Sequence, residues 1–253
     1  MSWDPGQYER FKAERAAPFR DLAALVTRRP GMRVVDLGCG TGELTRELHL
    51  ALGAAETVGI DTSAEMLAKA PSAPGLRFEL GDIAEFDAEG GFDLVFSNAA
   101  LHWLPDHERL LGRLVRSLKP GGQLAVQVPA NHEHPSHVLA HAIAAEAPFL
   151  DALDGYRREI SVLPPERYAE LLYRLGLVER RVRLEVYAHE LPDRDAVVEW
   201  LKGTTLTDYQ GRLDPAMWAL YLVRYTERLR EVLPDDRPFL FTYPRIFVTA
   251  KTL

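Results

Sequence analysis

The run Val34-Val35-Asp36-Leu37-Gly38-Cys39-Gly40-Thr41-Gly42 constrains this chain more than any other stretch of it. Its apolar start reads as a short buried strand, its glycines as a turn, and Glu43–Leu52 beyond it as an amphipathic helix. Such a strand–turn–helix lets backbone approach a nucleotide-like ligand closely. Glycine spacing separates two chemistries. Dinucleotide-binding loops run G-x-G-x-x-G and aim a helix N-terminus at a pyrophosphate. This loop runs G-x-G-x-G behind an acid, Asp36, which suits an ammonium and would repel a pyrophosphate. Taken alone, the string also fits a tight turn with no ligand.

The elements around it alternate. Strands are expected at Thr57–Ile60, Leu76–Leu80, Phe92–Ser97 and, after the Pro120-Gly121-Gly122 turn, Gln123–Val128. Helices are expected at Ala64–Ala70 and Glu108–Leu118, and before the glycine loop over residues 7–29, broken near Pro18. Short apolar strands alternating with helices imply an α/β fold: a doubly wound, mostly parallel sheet with helices on both faces. After Val128 the rhythm changes. His137–Ala147 and Glu166–Leu175 read as helices, Leu177–Tyr187 as a strand polar on one side, and 193–233 as largely helical and rich in aromatics. Arg245–Ala250 reads as the last strand. The expected organisation is an N-terminal helical lid (1–30), a cofactor-binding α/β core (31–130) and the remainder of that core (131–192). A helical cap insertion (193–236) over the sheet's C-terminal edge and a final core strand (237–253) complete it.

Bulk properties narrow the function. A chain of 253 residues with 47% hydrophobic and 26% charged residues can bury an ordinary core. A net charge of -7 argues against a nucleic-acid partner. The single cysteine, Cys39, allows neither an intramolecular disulfide nor a cysteine-based zinc site. With no secretory signal and no apolar run of about 20 residues, the expectation is a soluble cytoplasmic protein without a membrane partner, monomeric or weakly homo-oligomeric. His137 and His141 have the i, i+4 spacing of a helical ligand pair, yet no glutamate follows His137 as a zinc hydrolase requires. No metal is expected.

Asp36-Leu37-Gly38-Cys39-Gly40-Thr41-Gly42 resembles the first motif of class I S-adenosylmethionine-dependent methyltransferases. The resemblance implies a seven-stranded Rossmann-like sheet with an antiparallel last strand, and S-adenosylmethionine as cofactor. It implies that Asp36, Gly38, Gly40 and Gly42 hold the methionyl part and that Asp61, with Thr62 beside it, meets the ribose hydroxyls. Asp82 would meet the adenine amine, and Ile83 and Met66 would pack on the ring. Asn98, Ala99 and His102, in the string Asp93–Leu104, would line the cofactor's channel, and Arg15 would reach its carboxylate or the substrate's. Singly, Asp61 and Asp82 also read as ordinary strand-end caps; three acid-bearing strand ends in order are harder to reach by chance.

Over nearly the whole chain the sequence is similar to the trans-aconitate 2-methyltransferase family. The matching pieces include Trp3-Asp4-Pro5, Leu101-His102-Trp103-Leu104-Pro105-Asp106-His107, Val126-Gln127-Val128-Pro129-Ala130-Asn131 and Pro244-Arg245-Ile246-Phe247. This implies methyl-ester formation on a small carboxylic acid, with Tyr8, Trp103, His132, Trp200, Tyr225, Tyr243 and Arg245 as substrate-binding candidates. An ionised carboxylate is already a nucleophile, so no catalytic base is nominated. One departure stands out. After Gly203-Thr204 the family continues Leu-Arg-Pro and an aromatic, where this chain has Leu206-Thr207-Asp208-Tyr209. A pocket cation is lost, which leaves a related mono- or dicarboxylate open beside trans-aconitate. The rival readings are a methyltransferase for another small acceptor, an NAD-dependent dehydrogenase, and an inactive S-adenosylmethionine-binding protein.

Overall fold

The computed structural model describes residues 12–253, so Tyr8 and the Trp3-Asp4-Pro5 opening lie outside the described residues. In chain order the elements are α1 (Lys12–Ala24), β1 (Arg33–Leu37), α2 (Glu43–Leu52), β2 (Glu56–Asp61), α3 (Ala64–Leu67) and β3 (Leu76–Leu80). There follow β4 (Phe92–Asn98), a 3-10 turn (Leu101–Trp103), α4 (His107–Arg116), β5 (Leu118–Pro129), α5 (Pro135–Ala144) and α6 (Phe149–Ala152). The remainder is α7 (Pro165–Arg174), β6 (Val178–Leu191), α8 (Ala196–Lys202), α9 (Leu206–Gln210), α10 (Pro215–Val232) and β7 (Phe239–Lys251).

The strands form one seven-stranded sheet in the order β3-β2-β1-β4-β5-β7-β6. The pairs β1/β2, β2/β3, β1/β4 and β4/β5 are parallel, and β7 runs antiparallel to β5. β1, β4 and β5 are buried along nearly their whole lengths, as central strands covered on both faces must be. The chain winds outward from β1 to β3 and then returns to the other side of β1 at β4. The carboxyl ends of β1 and β4 therefore flank the point where strand order reverses, the place where open α/β sheets bind ligands.

Packing follows two compact units. One comprises residues 16–129, 161–185 and 245–253; the other is built mainly from 130–160 and 186–244. In the first, α1 runs straight through Pro18 instead of breaking there. One backbone bond is lost at a proline, but Ala16, Phe19 and Leu22 on either side of it are all buried and hold the helix to the sheet. The Phe19 ring packs 4.8 Å from that of Phe96 on β4. The Gln123 amide closes a two-way bond with the Thr27 backbone, donating to its carbonyl at 2.7 Å and accepting from its N–H at 2.8 Å.

Other boundaries also moved. β5 begins at Leu118 because Phe92 pairs with Leu118 before the Pro120-Gly121-Gly122 turn and Leu94 with Gln123 after it. β7 starts six residues earlier than its apolar run suggests. Phe239, Phe241 and Tyr243 are buried while Leu240 is exposed, a period-two pattern masked in the sequence by Pro238 and Pro244. α3 ends at Leu67, one turn after its Ser63 cap.

The second unit has its own apolar core, in which α5 and α10 are fastened by tyrosines. Tyr221 Oη donates to the Ala140 carbonyl at 2.7 Å, and Tyr225 Oη to the Ser136 carbonyl at 2.9 Å. Donors four residues apart on α10 thus meet acceptors four residues apart on α5. The two rings stack with an interplanar angle of 10°, so large apolar bodies are buried with their hydroxyls satisfied. Among the described residues no helix is long and apolar enough to cross a membrane.

Removing only the Tyr221 hydroxyl (Tyr221→Phe) is expected to cost about 1 kcal/mol in a urea melt. Tyr221→Ala, which also empties core volume, is expected to cost about 3–5 kcal/mol.

Candidate functional site

Two turns meet where the strand order reverses. In the first, Gly38, Gly40 and Gly42 all have left-handed backbone, with φ of 81°, 56° and 73°. Side chains are excluded from this turn for two different reasons. A Cβ on Gly38 would stand 2.2 Å from the Ala100 methyl, and one on Gly42 would stand 2.4 Å from the Phe78 ring. At Gly40 a Cβ would meet nothing within 4 Å, so only its backbone angle demands glycine. The loop is thereby pressed against its neighbours at both ends and open in the middle.

Asp36, at the end of β1, is 1% exposed and accepts a 2.6 Å bond from Thr45 Oγ1 on α2. Burial pushes its carboxyl up to about 7; the Thr45 bond opposes the shift and the Asp61 charge adds to it. Asp61, at the end of β2, accepts from the Gly40 N–H through Oδ2 and from the Ser63 N–H through Oδ1, both at 2.9 Å. It fixes the glycine loop and the start of α3 together, and each carboxylate oxygen keeps a lone pair for another donor. Thr62 is exposed and Met66 half-buried. Ile83 is buried, within 3.6 Å of the position a Gly38 Cβ would take, while Asp82 is exposed and accepts from the Ala84 N–H at 2.7 Å.

The second turn follows β4. Asn98 Oδ1 is buried without a hydrogen-bond partner. Ala99 adopts φ 52° and donates its N–H to the Gln127 carbonyl at 2.9 Å. The 3-10 turn beyond it carries His102 and Trp103, whose rings lie 4.9 Å apart, with Trp103 45% exposed. This turn is held from below by two residues that the sequence did not single out. His107 Nε2 lies 2.9 Å from the Leu101 carbonyl and Nδ1 lies 2.5 Å from Tyr168 Oη. A carbonyl can only accept, so Nε2 carries the proton and Nδ1 accepts from the tyrosine. Burial lowers the pKa of His107, which keeps the ring in that neutral form. Thr45 is the other residue missed: nothing in its local sequence says that its hydroxyl turns back onto Asp36.

Asp36 and Asn98 present buried acceptors and no cation between them. A primary ammonium supplies the missing charge and donors, so this end of the sheet fits an amino-acid headgroup better than a phosphate.

The other candidates are distributed as follows. Arg15 lies within α1. Arg245 lies within β7 opposite Pro129 and is only 4% exposed, not the solvent-facing charge that a strand end suggests. In the second unit Trp200 and Tyr243 come together, 5.7 Å between ring centroids, and His189 joins them at 4.7 Å from Trp200. His132 is half-buried in the turn before α5. Tyr225 is fully buried with its hydroxyl on Ser136. Asp208 is buried as well, taking a 2.6 Å bond from Tyr156 Oη and facing Arg158 at 3.6 Å and Arg212 at 3.3 Å. His141 Nδ1 pairs with Tyr209 Oη at 2.6 Å, and among the described residues no group of three or more His, Cys, Asp or Glu side chains could hold a metal ion.

Comparison with known proteins shows the family and the fold. A family model described as a methyltransferase domain matches residues 28–155. A trans-aconitate 2-methyltransferase of Deinococcus radiodurans is 48% identical across 99% of this chain and 98% of its own length. One from Variovorax paradoxus is 40% identical over the same shares. Among solved structures, an S-adenosylmethionine-dependent methyltransferase from Mesorhizobium loti covers 94% of this chain and 99% of its own, at 23% identity and a TM-score of 0.54. The YcgJ protein of Bacillus subtilis covers 93% and 98%, at 16% identity and a TM-score of 0.63. These two likenesses are of fold.

The raised Asp36 pKa has a definite sign in stability. A carboxyl near 4 when unfolded and about 7 when folded disfavours the native state where it is ionised. Asp36→Asn removes that penalty. Relative to the parent, the variant should gain roughly 1 kcal/mol per pH unit between about pH 4 and 7, and nothing further above. Burial lowers His137 to about 3 and His141 to about 4, so both destabilise the parent as pH falls below their unfolded value. They cancel in the difference between variant and parent, which is the quantity to measure by denaturation at stepped pH.

Proposed function

Because this chain belongs to the trans-aconitate 2-methyltransferase family and is an S-adenosylmethionine-dependent methyltransferase, we propose that it esterifies a carboxylate of trans-aconitate or a closely related small acid. The observation that carries this reading is the end-to-end identity of 48% and 40% with relatives of that name. The bound cofactor supplies a methyl group activated by its sulfonium. A carboxylate is ionised at neutral pH, so the protein's task is to align the attacking oxygen and strip its water. No residue is asked to remove a proton.

On this reading Asp36 and Asn98 receive the methionyl ammonium. Gly38, Gly40, Gly42 and Ala99 allow close backbone approach, and His102 lines the channel. Asp61 and Thr62 take the ribose, and Met66, Asp82 and Ile83 the adenine. The buried guanidinium of Arg245 suits one acceptor carboxylate, since a planar fork matches it bidentately and desolvation strengthens the pair. Arg15 serves a carboxylate of either ligand. Tyr8, Trp103, His132, Trp200 and Tyr243 are the acceptor's further candidate contacts, whereas Tyr225, whose buried hydroxyl is already held by the Ser136 carbonyl, serves the framework instead. Asp208, paired with Arg158 and Arg212, stands where the family carries proline, and the arginine missing before it keeps a related mono- or dicarboxylate beside trans-aconitate as acceptor.

The test is transfer of label from S-adenosylmethionine to a panel of small acids, counted as methanol released by base. Trans-aconitate or a related di- or monocarboxylate is expected to take up a base-labile ester. Tight cofactor binding with no transfer to any acid would remove the acceptor assignment. Arg245→Lys is expected to raise KM for the methylated acid by roughly tenfold or more, as a bidentate contact becomes a point charge. Its S-adenosylhomocysteine affinity should stay within about twofold of the parent.

A further inference from the structure

We propose that Gln127 is an acceptor-binding residue whose side-chain amide donates to a carboxylate of the small acid, beside Arg245. Gln127 lies near the end of β5 and is 0% exposed. Both its Oε1 and its Nε2 are buried without a hydrogen-bond partner. An amide taken out of water with neither end paired is costly, and native proteins seldom keep one without a use. Gln123, four residues earlier on the same strand, shows the ordinary outcome: both ends of its amide are bonded to the Thr27 backbone.

Strand register says what lies around this amide. Gln127 pairs with Asn98 on β4 and with Phe247 on β7, while Pro129 pairs with Arg245. Paired residues share a face of a sheet, as do residues two apart on a strand. Asp36, opposite Phe96, falls on the same face. Across neighbouring strands this face therefore carries Asp36, Asn98, Gln127 and Arg245 in order. The first two are acceptors suited to the cofactor's ammonium and the last is a cation. The amide between them can donate through Nε2 to an oxygen of a carboxylate that Arg245 also holds. Its backbone carbonyl already fixes Ala99, so one residue couples the channel turn to the acceptor. The inference rests on the carboxyl-methyltransferase reading above.

Gln127→Met keeps length and removes both polar atoms. Three quantities decide the matter: the melting temperature without ligand, the Kd for S-adenosylhomocysteine by calorimetry, and KM and kcat with the methylated acid. A structural amide would lose stability on this change, whereas an unpaired one leaves the melting temperature equal or higher. The expected result is that unchanged or raised melting temperature together with a KM raised on the order of 10–100-fold, the value of a bond to a charged group. Kd for S-adenosylhomocysteine should stay within about twofold. A loss confined to that Kd would assign the amide to the cofactor's carboxylate and overturn the acceptor role. A lowered melting temperature, or KM and Kd both unchanged, would overturn it too. If the parent methylates no acid in the panel, the acceptor reading has failed on its own account. Calorimetric binding of trans-aconitate to parent and variant loaded with S-adenosylhomocysteine then decides Gln127, with equal or absent binding in both counting against it.

Discussion

Gly38 has no room for a side chain, and much of this protein's working end depends on that contact. Its α-carbon faces the Ala100 methyl so closely that a Cβ would stand 2.2 Å away. The glycine turn after β1 and the turn after β4 are thus locked together at the place where the sheet's order reverses. Gly38, Gly40 and Gly42 adopt positive φ without steric cost, whereas Ala99, at φ 52°, incurs one. The cost of the Ala99 angle is offset by the Gln127 carbonyl, which accepts from the Ala99 N–H, while Asp61 pins the glycine turn by accepting from the Gly40 N–H.

Around that contact the protein keeps buried polar groups in two distinct conditions. Some are fully satisfied and act as framework: His107 between the Leu101 carbonyl and Tyr168, the Gln123 amide on Thr27, and Tyr221 and Tyr225 on α5. Others are strained or incomplete, notably Asp36 with its carboxyl pushed up to about 7 and Asn98 with its buried Oδ1. The first kind stabilises one geometry. The second is where a ligand carrying an ammonium gains most by binding, since it supplies what the fold leaves missing. Framework and site are built from the same residue types and differ only in who provides the partner.

The helical unit solves a different problem, the burial of many large rings. Tyr209, Tyr221 and Tyr225 are fully buried and each hydroxyl is hydrogen-bonded to a residue of α5. Asp208 is likewise balanced from within by Tyr156, Arg158 and Arg212. Asp208 is therefore no isolated charge.

The amino-acid sequence by itself determined the strand–glycine–helix unit, the α/β winding, the acids at three strand ends and the kinship with small-acid methyltransferases. The first three are local, a period of two or four residues or a short string of set spacing, and the kinship is a similarity of residues along the chain that needs no tertiary contact. Boundaries failed where tertiary packing overrode a local signal. α1 passes through Pro18 because buried neighbours hold it on both sides, and β7 extends past Pro244 because its alternate residues are buried. Thr45 on Asp36, His107 on Tyr168, the lone amide of Gln127 and the burial of Arg245 were decided only by tertiary structure. Each is a relation between residues distant in sequence or facing across strands, and register and burial, which set it, do not exist until the sheet is assembled.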